Sequence, residues 1–442
     1  MNLRSILLVS ARFQKENLYR EIALKHIFEK RGIDVKFFLP SRKMNRNGYT
    51  DEIVNDTIFK NENARYLTSI RQFVKNINKC DAVVFGSWKQ YSDIAEIARR
   101  KGKMTINFNS TSGLDHWPHS VDYALVKGHF SKRFMLYVQQ NLPGHGNLTE
   151  DRIHVLGSII HDAPDYLQQD HFADREAFFR KYNLELEKPL AILFPKGIGT
   201  QRAKISMMFR EWDSIKCQDW CNRLSQKYKE ICTSSNKAEF NLIVKMHPTA
   251  YTSYMTNYSD EYKFWSEIKE VSILDVSDTY ECYRYMDVGL GVNTHAALDT
   301  AYYGKPFIFI DSEEFELPQL PQFDFSEIWN MPFGPSSHWD STPLGLINPW
   351  CPSWLGYYSN IKNLKDLLIS LDFSKENIEQ SHREIFVKEF WHKNDGKTGD
   401  RIVDKTIELY DRDKWEKNKS SFWFFEQFHI KKLKEVIKNL GY

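Results

Sequence analysis

Three short stretches of this chain set phosphate-binding or proton-transferring side chains directly after apolar runs. "LAILFPKGIGTQR" is followed through Lys196, Gly197, Gly199, Thr200, Gln201 and Arg202. "FNLIVKMHPTAY" carries Lys245 and His247, and "DVGLGVNTHAALD" carries Asn293, Thr294, His295 and, about one turn on, Asp299. Lysine and arginine give charge-assisted hydrogen bonds to phosphate, and an imidazole can donate to a departing group. Pro248 cannot donate to a ladder, so the strand before it stops and leaves His247 at its carboxyl end. In open α/β sheets ligands bind outside the carboxyl ends of the strands. In the third stretch Asn293 or Thr294 can cap the following helix, whose first N–H groups would then suit a phosphate. Any one loop is equally well explained by ordinary turn and cap residues. The occurrence of all three in one half of the chain is what makes a binding site the better reading.

Transfer of a group to a hydroxyl also needs a proton acceptor. The best loop for it is "NFNSTSGLDHWPHSVD", where Asp115, His116 and His119 follow an apolar run and Gly113 permits a tight turn. A carboxylate of raised pKa or an imidazole can each serve near neutral pH. Asp115 ranks first, and Glu16, in the stretch "SARFQKEN" after the first strand, is the second choice. A turn aspartate flanked by surface histidines would give the same residues. No Asp-x-Asp stands in a strand-end loop, and the "DRD" at 411–413 falls in a polar helical tail, so no metal is indicated. The six cysteines show no ligand spacing, Cys217 and Cys221 lacking a second pair, and read as reduced thiols. "GLGVNT" and "KGIGTQ" hold two glycines each, short of a Gly-x-Gly-x-x-Gly fingerprint, and no Walker lysine loop is present. Dehydrogenase and ATPase readings lose their support, and no cofactor is implied.

The elements that must position these residues alternate. Strand patterns at "SILLVSA", "DVKFFLP", "DAVVFGSW", "KMTINFN" and "VDYALVKG" are separated by helical patterns up to about residue 150. After turn residues near 157–165 the alternation restarts with "PLAILF", a helical stretch from about Ile205 to Ile231, "FNLIV", "VSILDV", "DVGLGV" and "PFIFID". Alternation of this kind gives βαβ units and a parallel sheet. With 442 residues, the chain is expected to be α/β, with two Rossmann-like domains facing across a cleft. Their expected spans are 1–157 and 158–385, followed by helices over 386–442. Net charge is +2 and charged residues are 27%, which gives no reason to expect nucleic acid as a partner. The apolar start is too short to span a bilayer or act as a signal peptide, and a cytoplasmic enzyme is expected. The tail "DKWEKNKSSFWFFEQFHIKKLKEVIKNLGY" mixes lysines with Trp415, Trp423 and four phenylalanines. It suits either a helix packed on the body or peripheral contact with the inner face of the membrane. The Trp-, Pro- and Gly-rich stretch "NMPFGPSSHWDSTPLGLINPWCPSWLGYY" is long enough to stack a sugar ring or to pack as a surface loop.

"IVKMHP" and "SILDVSDTYECYRYMDVGLGVNTHAALDTAYYGKPFIFID" resemble the donor-side domain of GT-B glycosyltransferases. The closest likeness is to the bacterial surface-polysaccharide group with a His-Pro motif: CDP-glycerol glycerophosphotransferases, bacterial sialyltransferases and Kdo transferases. "IHVLGSIIHDAPDYL" and "EFWHKNDGKTGDRIVDKTIEL" are similar to segments of the same enzymes, so the likeness covers roughly residues 150–405. It implies that 1–157 is the acceptor side and 158–385 the donor side, and that the helices over 386–442 cross back to the first domain. It also implies that His247 meets the nucleotide phosphate or aids the leaving group, that Asn293, Thr294 and His295 bind phosphate, and that Asp299 holds ribose hydroxyls. Lys196, Gly199, Arg202 and Lys245 complete the expected donor site, with Asp115, His116 and His247 as catalytic candidates. The activity implied is metal-independent transfer from a nucleotide-activated donor, CMP-Kdo or a related cytidine donor favoured, to a capsule or lipopolysaccharide glycan acceptor or its lipid-linked form. The alternatives are a CDP-glycerol-type polyol-phosphate transferase, a UDP-sugar 2-epimerase and a non-catalytic assembly protein with a GT-B shell.

Overall fold

Apolar runs of four to seven residues bounded by turns become strands buried on both faces, the pattern a parallel sheet demands. A computed structural model of the chain describes residues 3–10, 15–41, 62, 64–67, 69–86, 92–108, 121–141, 148–167, 172–195, 214–246, 260–275, 278–291, 294, 296–310, 356–372, 384 and 387–412. They form two units, Met1–Leu167 with His392–Tyr442 and Gln168–Trp391. Each is a Rossmann-like α/β domain.

In the first unit the strands are β1 (Ser5–Val9), β2 (Asp34–Pro40), β3 (Arg65–Leu67), β4 (Ala82–Gly86), β5 (Met104–Phe108), β6 (Tyr123–Val126) and β7 (Ile153–Val155). They pair in parallel in the order β3-β2-β1-β4-β5-β6-β7. The crossover helices are α1 (Lys15–Lys30), α2 (Ile70–Ile77), α3 (Ser92–Arg100) and α4 (His129–Asn141). The core on one side of the sheet gathers Leu7, Val9, Phe38, Phe73, Phe85 and Met135. Buried Asp122 secures the start of β6: Thr105 donates to it from its amide (2.9 Å) and its hydroxyl (2.8 Å), and Arg99 from Nε (3.1 Å).

A helix, α5 (Ile159–Tyr166), occupies the stretch expected to be an interdomain turn. It packs on α1 and belongs to the first unit, which extends to Leu167 instead of ending at 157. The turn-forming residues Asp162 and Pro164 masked a helical period: Ile159, Ala163 and Leu167 are buried at spacings of four. The final described helix of the chain, α12 (Thr398–Arg412), packs on both α1 and α5, so the first unit resumes at His392 and not at 386.

Two histidines of this unit are held neutral. Burial, with Lys405 and Arg412 nearby, lowers His154 to about 4. Burial, with Arg401, Lys393 and His129 nearby, does the same to His392. Unfolded histidine titrates near 6.5, so the folded state binds these protons less readily than the unfolded one. Their stabilisation is complete above about pH 6.5 and is lost as pH falls towards 4. Melting of the first unit should therefore drop steeply between pH 6.5 and 4.5. His154→Gln combined with His392→Asn should flatten that slope, asparagine being tolerant of the positive φ of 65° at position 392. A wild-type melting temperature that stays level over this range would contradict the assignment.

The second unit holds α6 (Arg175–Lys181), β8 (Leu190–Phe194), α7 (Ser214–Lys237), β9 (Asn241–Val244), α8 (Asp260–Ser266), β10 (Ser272–Ile273), α9 (Thr279–Tyr285), β11 (Val288–Gly291), α10 (Ala296–Tyr302), β12 (Phe307–Ile310), β13 (Gly356–Ser359) and α11 (Leu364–Ser370). A π-helical turn at Val387–Trp391 follows. All pairings are parallel, in the order β10-β9-β8-β11-β12-β13. Leu193, Tyr228, Val244, Trp265, Leu290 and Ile308 lie in its main core. The helical stretch expected from about Ile205 is described from Ser214 onward. Among the described residues no helix is long and apolar enough to cross a membrane. Cys80, Cys221, Cys232 and Cys282 are buried thiols.

Candidate functional site

From β8 the second sheet grows outward through β9 and β10, then β11 starts on the other flank of β8. The order reverses between β8 and β11, and a crevice forms at the carboxyl ends of strands at such a reversal. The three loops singled out in the sequence leave β8, β9 and β11, the central strands at that point.

The last residue of β8, Phe194, stacks on Tyr283 of α9, with ring centroids 5.8 Å apart and planes at 17°. Just past β9, Lys245 donates its amide to Leu193 O (2.9 Å), so the ladder continues one residue beyond the strand. Lys245 is 8% exposed, and its Nζ stands 5.9 Å from the Tyr283 ring centroid. That is cation–π range. Asp299, on α10, is half-buried, and its Oδ2 accepts from the Tyr283 hydroxyl at 3.2 Å. Tyr303 stacks on the same tyrosine (5.8 Å, 4°). Two of the expected donor-site residues, one cationic and one anionic, therefore meet at a single aromatic side chain.

The surroundings fix that side chain. Glu281 and Tyr285, one turn apart on α9, hold both backbone groups of Ala173: Glu281 accepts from its amide (3.1 Å) and Tyr285 donates to its carbonyl (2.8 Å). Burial raises the Glu281 carboxyl above the usual range. On the other flank, the Trp391 indole donates to Leu298 O (3.3 Å), pinning α10 next to Asp299.

Thr294 lies where the sequence placed it, between β11 and α10, and caps that helix as one of the two expected candidates. Its hydroxyl accepts from the Ala296 amide and its carbonyl from the Ala297 amide, both at 3.3 Å. The first two amides of the helix are thus both held by Thr294. The two glycines of "GLGVNT" also have a packing reason. A Cβ at Gly289 would lie 2.6 Å from Phe307 Cδ2, and one at Gly291 would lie 3.0 Å from Phe194 O and 3.1 Å from Phe307 Cζ.

Lys196, Gly199, Arg202, His247, Asn293 and His295 lie outside the described residues, as do Asp115, His116 and His119. Glu16 falls in the first turn of α1 and not in the loop before it. Among the described residues no cluster of three His, Cys, Asp or Glu is placed to hold a metal. Sequence reasoning missed Tyr283 and Trp391. The available signal was the pair Tyr280 and Tyr283 in "DTYECYRYM", a helical spacing that places both on one face.

No family model matches the chain, and no curated protein matches it. Solved structures do resemble it. A UDP-GlcNAc 2-epimerase from Methanocaldococcus jannaschii, in complex with UDP-GlcNAc and UDP, is 13% identical, covers 92% of this chain and 100% of its own, and has a TM-score of 0.50. S. aureus MnaA with UDP is 11% identical over 92% and 97%, with a TM-score of 0.50. The wall teichoic acid polymerase TagF is 11% identical over 92% and 89%, with a TM-score of 0.53. At such identities the likeness is one of fold: the chain has two parallel-sheet Rossmann-like domains like those of GT-B-type enzymes.

Proposed function

We propose that the chain is a bacterial surface-glycan transferase that uses a nucleotide-activated donor, with its second unit as the nucleotide domain. The observation that carries this reading is the convergence of Lys245 and Asp299 on Tyr283 beside the reversal between β8 and β11. A buried ammonium suits a phosphate and a half-buried carboxylate suits a ribose diol. His247, two residues beyond Lys245, is assigned the departing nucleotide. The ligands named with the similar structures (UDP, UDP-GlcNAc and, for a TagF variant, CDPG) favour a nucleoside diphosphate donor over CMP-Kdo. The first unit receives the glycan or lipid-linked acceptor and supplies the base, with Asp115 the first candidate and His116 beside it. Peripheral contact with the inner membrane face is assigned to residues 413–442. No cofactor is required by this scheme.

The test is thermal stabilisation by UDP, CDP, CMP, GDP and ADP, since a ligand that binds only the folded state raises the melting temperature. One of the diphosphates should shift wild type. Lys245→Met should weaken that binding about tenfold, the loss expected for one charge-assisted hydrogen bond. His247→Ala should lower turnover more than binding. Absence of a shift with every nucleotide would refute the proposal.

The second reading is attack at phosphorus on a CDP-activated polyol, favoured by the likeness to TagF. Incubation with acceptor separates the two reactions: sugar transfer releases the nucleoside diphosphate, whereas polyol-phosphate transfer releases CMP. Conversion of a UDP-sugar with no acceptor present would instead mean epimerisation.

A further inference from the structure

We infer that Tyr283 is the positioning residue of the nucleotide site, holding the Asp299 carboxylate and the Lys245 ammonium in one fixed arrangement through its hydroxyl and its ring face. The inference rests on the reading of the second unit as a nucleotide domain, and adds to it a residue that contributes through its neighbours. Three elements bring these groups together: the end of β9 supplies the ammonium, α10 the carboxylate and α9 the tyrosine. Tyr283 is 6% exposed and its ring lies against Phe194 and Tyr303. Its own orientation is therefore set by the core and not by a ligand.

The two polar contacts have different chemistry. The phenol donates to Asp299 Oδ2, which orients the carboxylate plane. A carboxylate on a seven-residue helix otherwise has rotamers to choose from, and a diol recognises it only in one. The ring face attracts the Lys245 ammonium, whose backbone is already fixed by its hydrogen bond to β8. With the backbone and the charged end both placed, the positive charge is held where the β8 and β9 loops begin.

A purely structural tyrosine would contribute through its ring alone, so the hydroxyl is the group to remove. Tyr283→Phe keeps the ring, its stacking and the face offered to Lys245. The measurement is the dissociation constant, by calorimetry, of whichever of UDP, CDP, CMP, GDP and ADP stabilises wild type, for wild type, Tyr283→Phe, Asp299→Ala and the double variant, with unfolding of each ligand-free protein as the control for folding. Tyr283→Phe should bind about tenfold more weakly, in line with loss of a hydrogen bond to a charged group. In the Asp299→Ala background the same change should cost nothing further, because the hydroxyl acts through that carboxylate. Should the phenylalanine protein unfold, Asp299→Asn supplies the second variant. Its amide oxygen still accepts from Tyr283, so it should bind more tightly than Asp299→Ala.

Wild-type affinity in Tyr283→Phe, or losses that add in the double variant, would overturn the positioning role while leaving the nucleotide reading intact. So would Asp299→Asn binding no better than Asp299→Ala. A wild-type protein that binds none of the five nucleotides would overturn the nucleotide reading first, and this inference with it.

Discussion

Gly356→Ala is expected to destabilise the second unit by about 3 kcal/mol, the combined order of a strained backbone and an overpacked contact. Gly356 opens β13, the edge strand, and pairs with Phe307 of β12. Its φ is +154°, and a Cβ there would lie 2.1 Å from Phe307 O and 2.6 Å from Phe307 N. These are backbone atoms inside a parallel ladder, so neither can yield without breaking the register of β12. Phe307 itself is fully buried, and its ring occupies the space that Gly289 and Gly291 leave open on β11. Glycines on both neighbouring strands thus accommodate one phenylalanine. Hydrogen exchange of the β12 and β13 amides, read with the urea midpoint, checks the prediction. Slow, wild-type exchange in the alanine variant would refute the close pairing.

A comparable loss, about 2–4 kcal/mol, is expected for Asp162→Ala in the first unit, since it leaves a buried donor without its carboxylate. Asp162 is 1% exposed and accepts from the Thr398 amide at 2.8 Å, where α12 begins. The surrounding bonds tie the same segment to α5 and β7. Tyr166 donates to Gly396 O (2.8 Å), and Arg401 donates from Nε to Leu156 O (2.8 Å). Arg401 also meets both oxygens of Asp395 at 2.7 and 2.8 Å. The stretch "DGKTGDR" therefore works as a clamp that seats α12 on α5 and β7. Asp162→Asn retains an acceptor for the Thr398 amide and should recover much of the loss. Denaturant unfolding of the three proteins distinguishes this bond from simple loss of volume, because asparagine that is no better than alanine would exclude it.

The candidate site was legible where chemistry follows a strand. Lys245 was picked out because it follows an apolar run and precedes a proline, and Asp299 because it lies one helical turn beyond a strand-end cap and matches the acidic position of the resembling family. Parallel strands deliver such loops to one edge. What could not be read was the residue between them. Tyr283 lies on the preceding helix, in a stretch with three tyrosines at positions 280, 283 and 285, and nothing local says which one meets both Lys245 and Asp299. Thr294 shows the opposite case. Its identity as a turn residue was plain, but whether its neighbours' amides point to a ligand or back to Thr294 depends on the backbone path after Gly291.

By itself the sequence determined the α/β class, the strand positions and the restart of the βα alternation in a second domain. Periodicity and strand length are local properties, set by burial on both faces of a parallel sheet. Only the tertiary structure decided that Ile159–Tyr166 is a helix of the first unit, because Pro164 and Asp162 weaken its local preference and packing on α1 restores it. It also decided that the glycines of "GLGVNT" make room for Phe307, which lies on the next strand, sixteen or more positions away. The convergence of Lys245 and Asp299 on Tyr283 is likewise tertiary: strand order is chosen by how crossovers pack, and sequence spacing does not encode it.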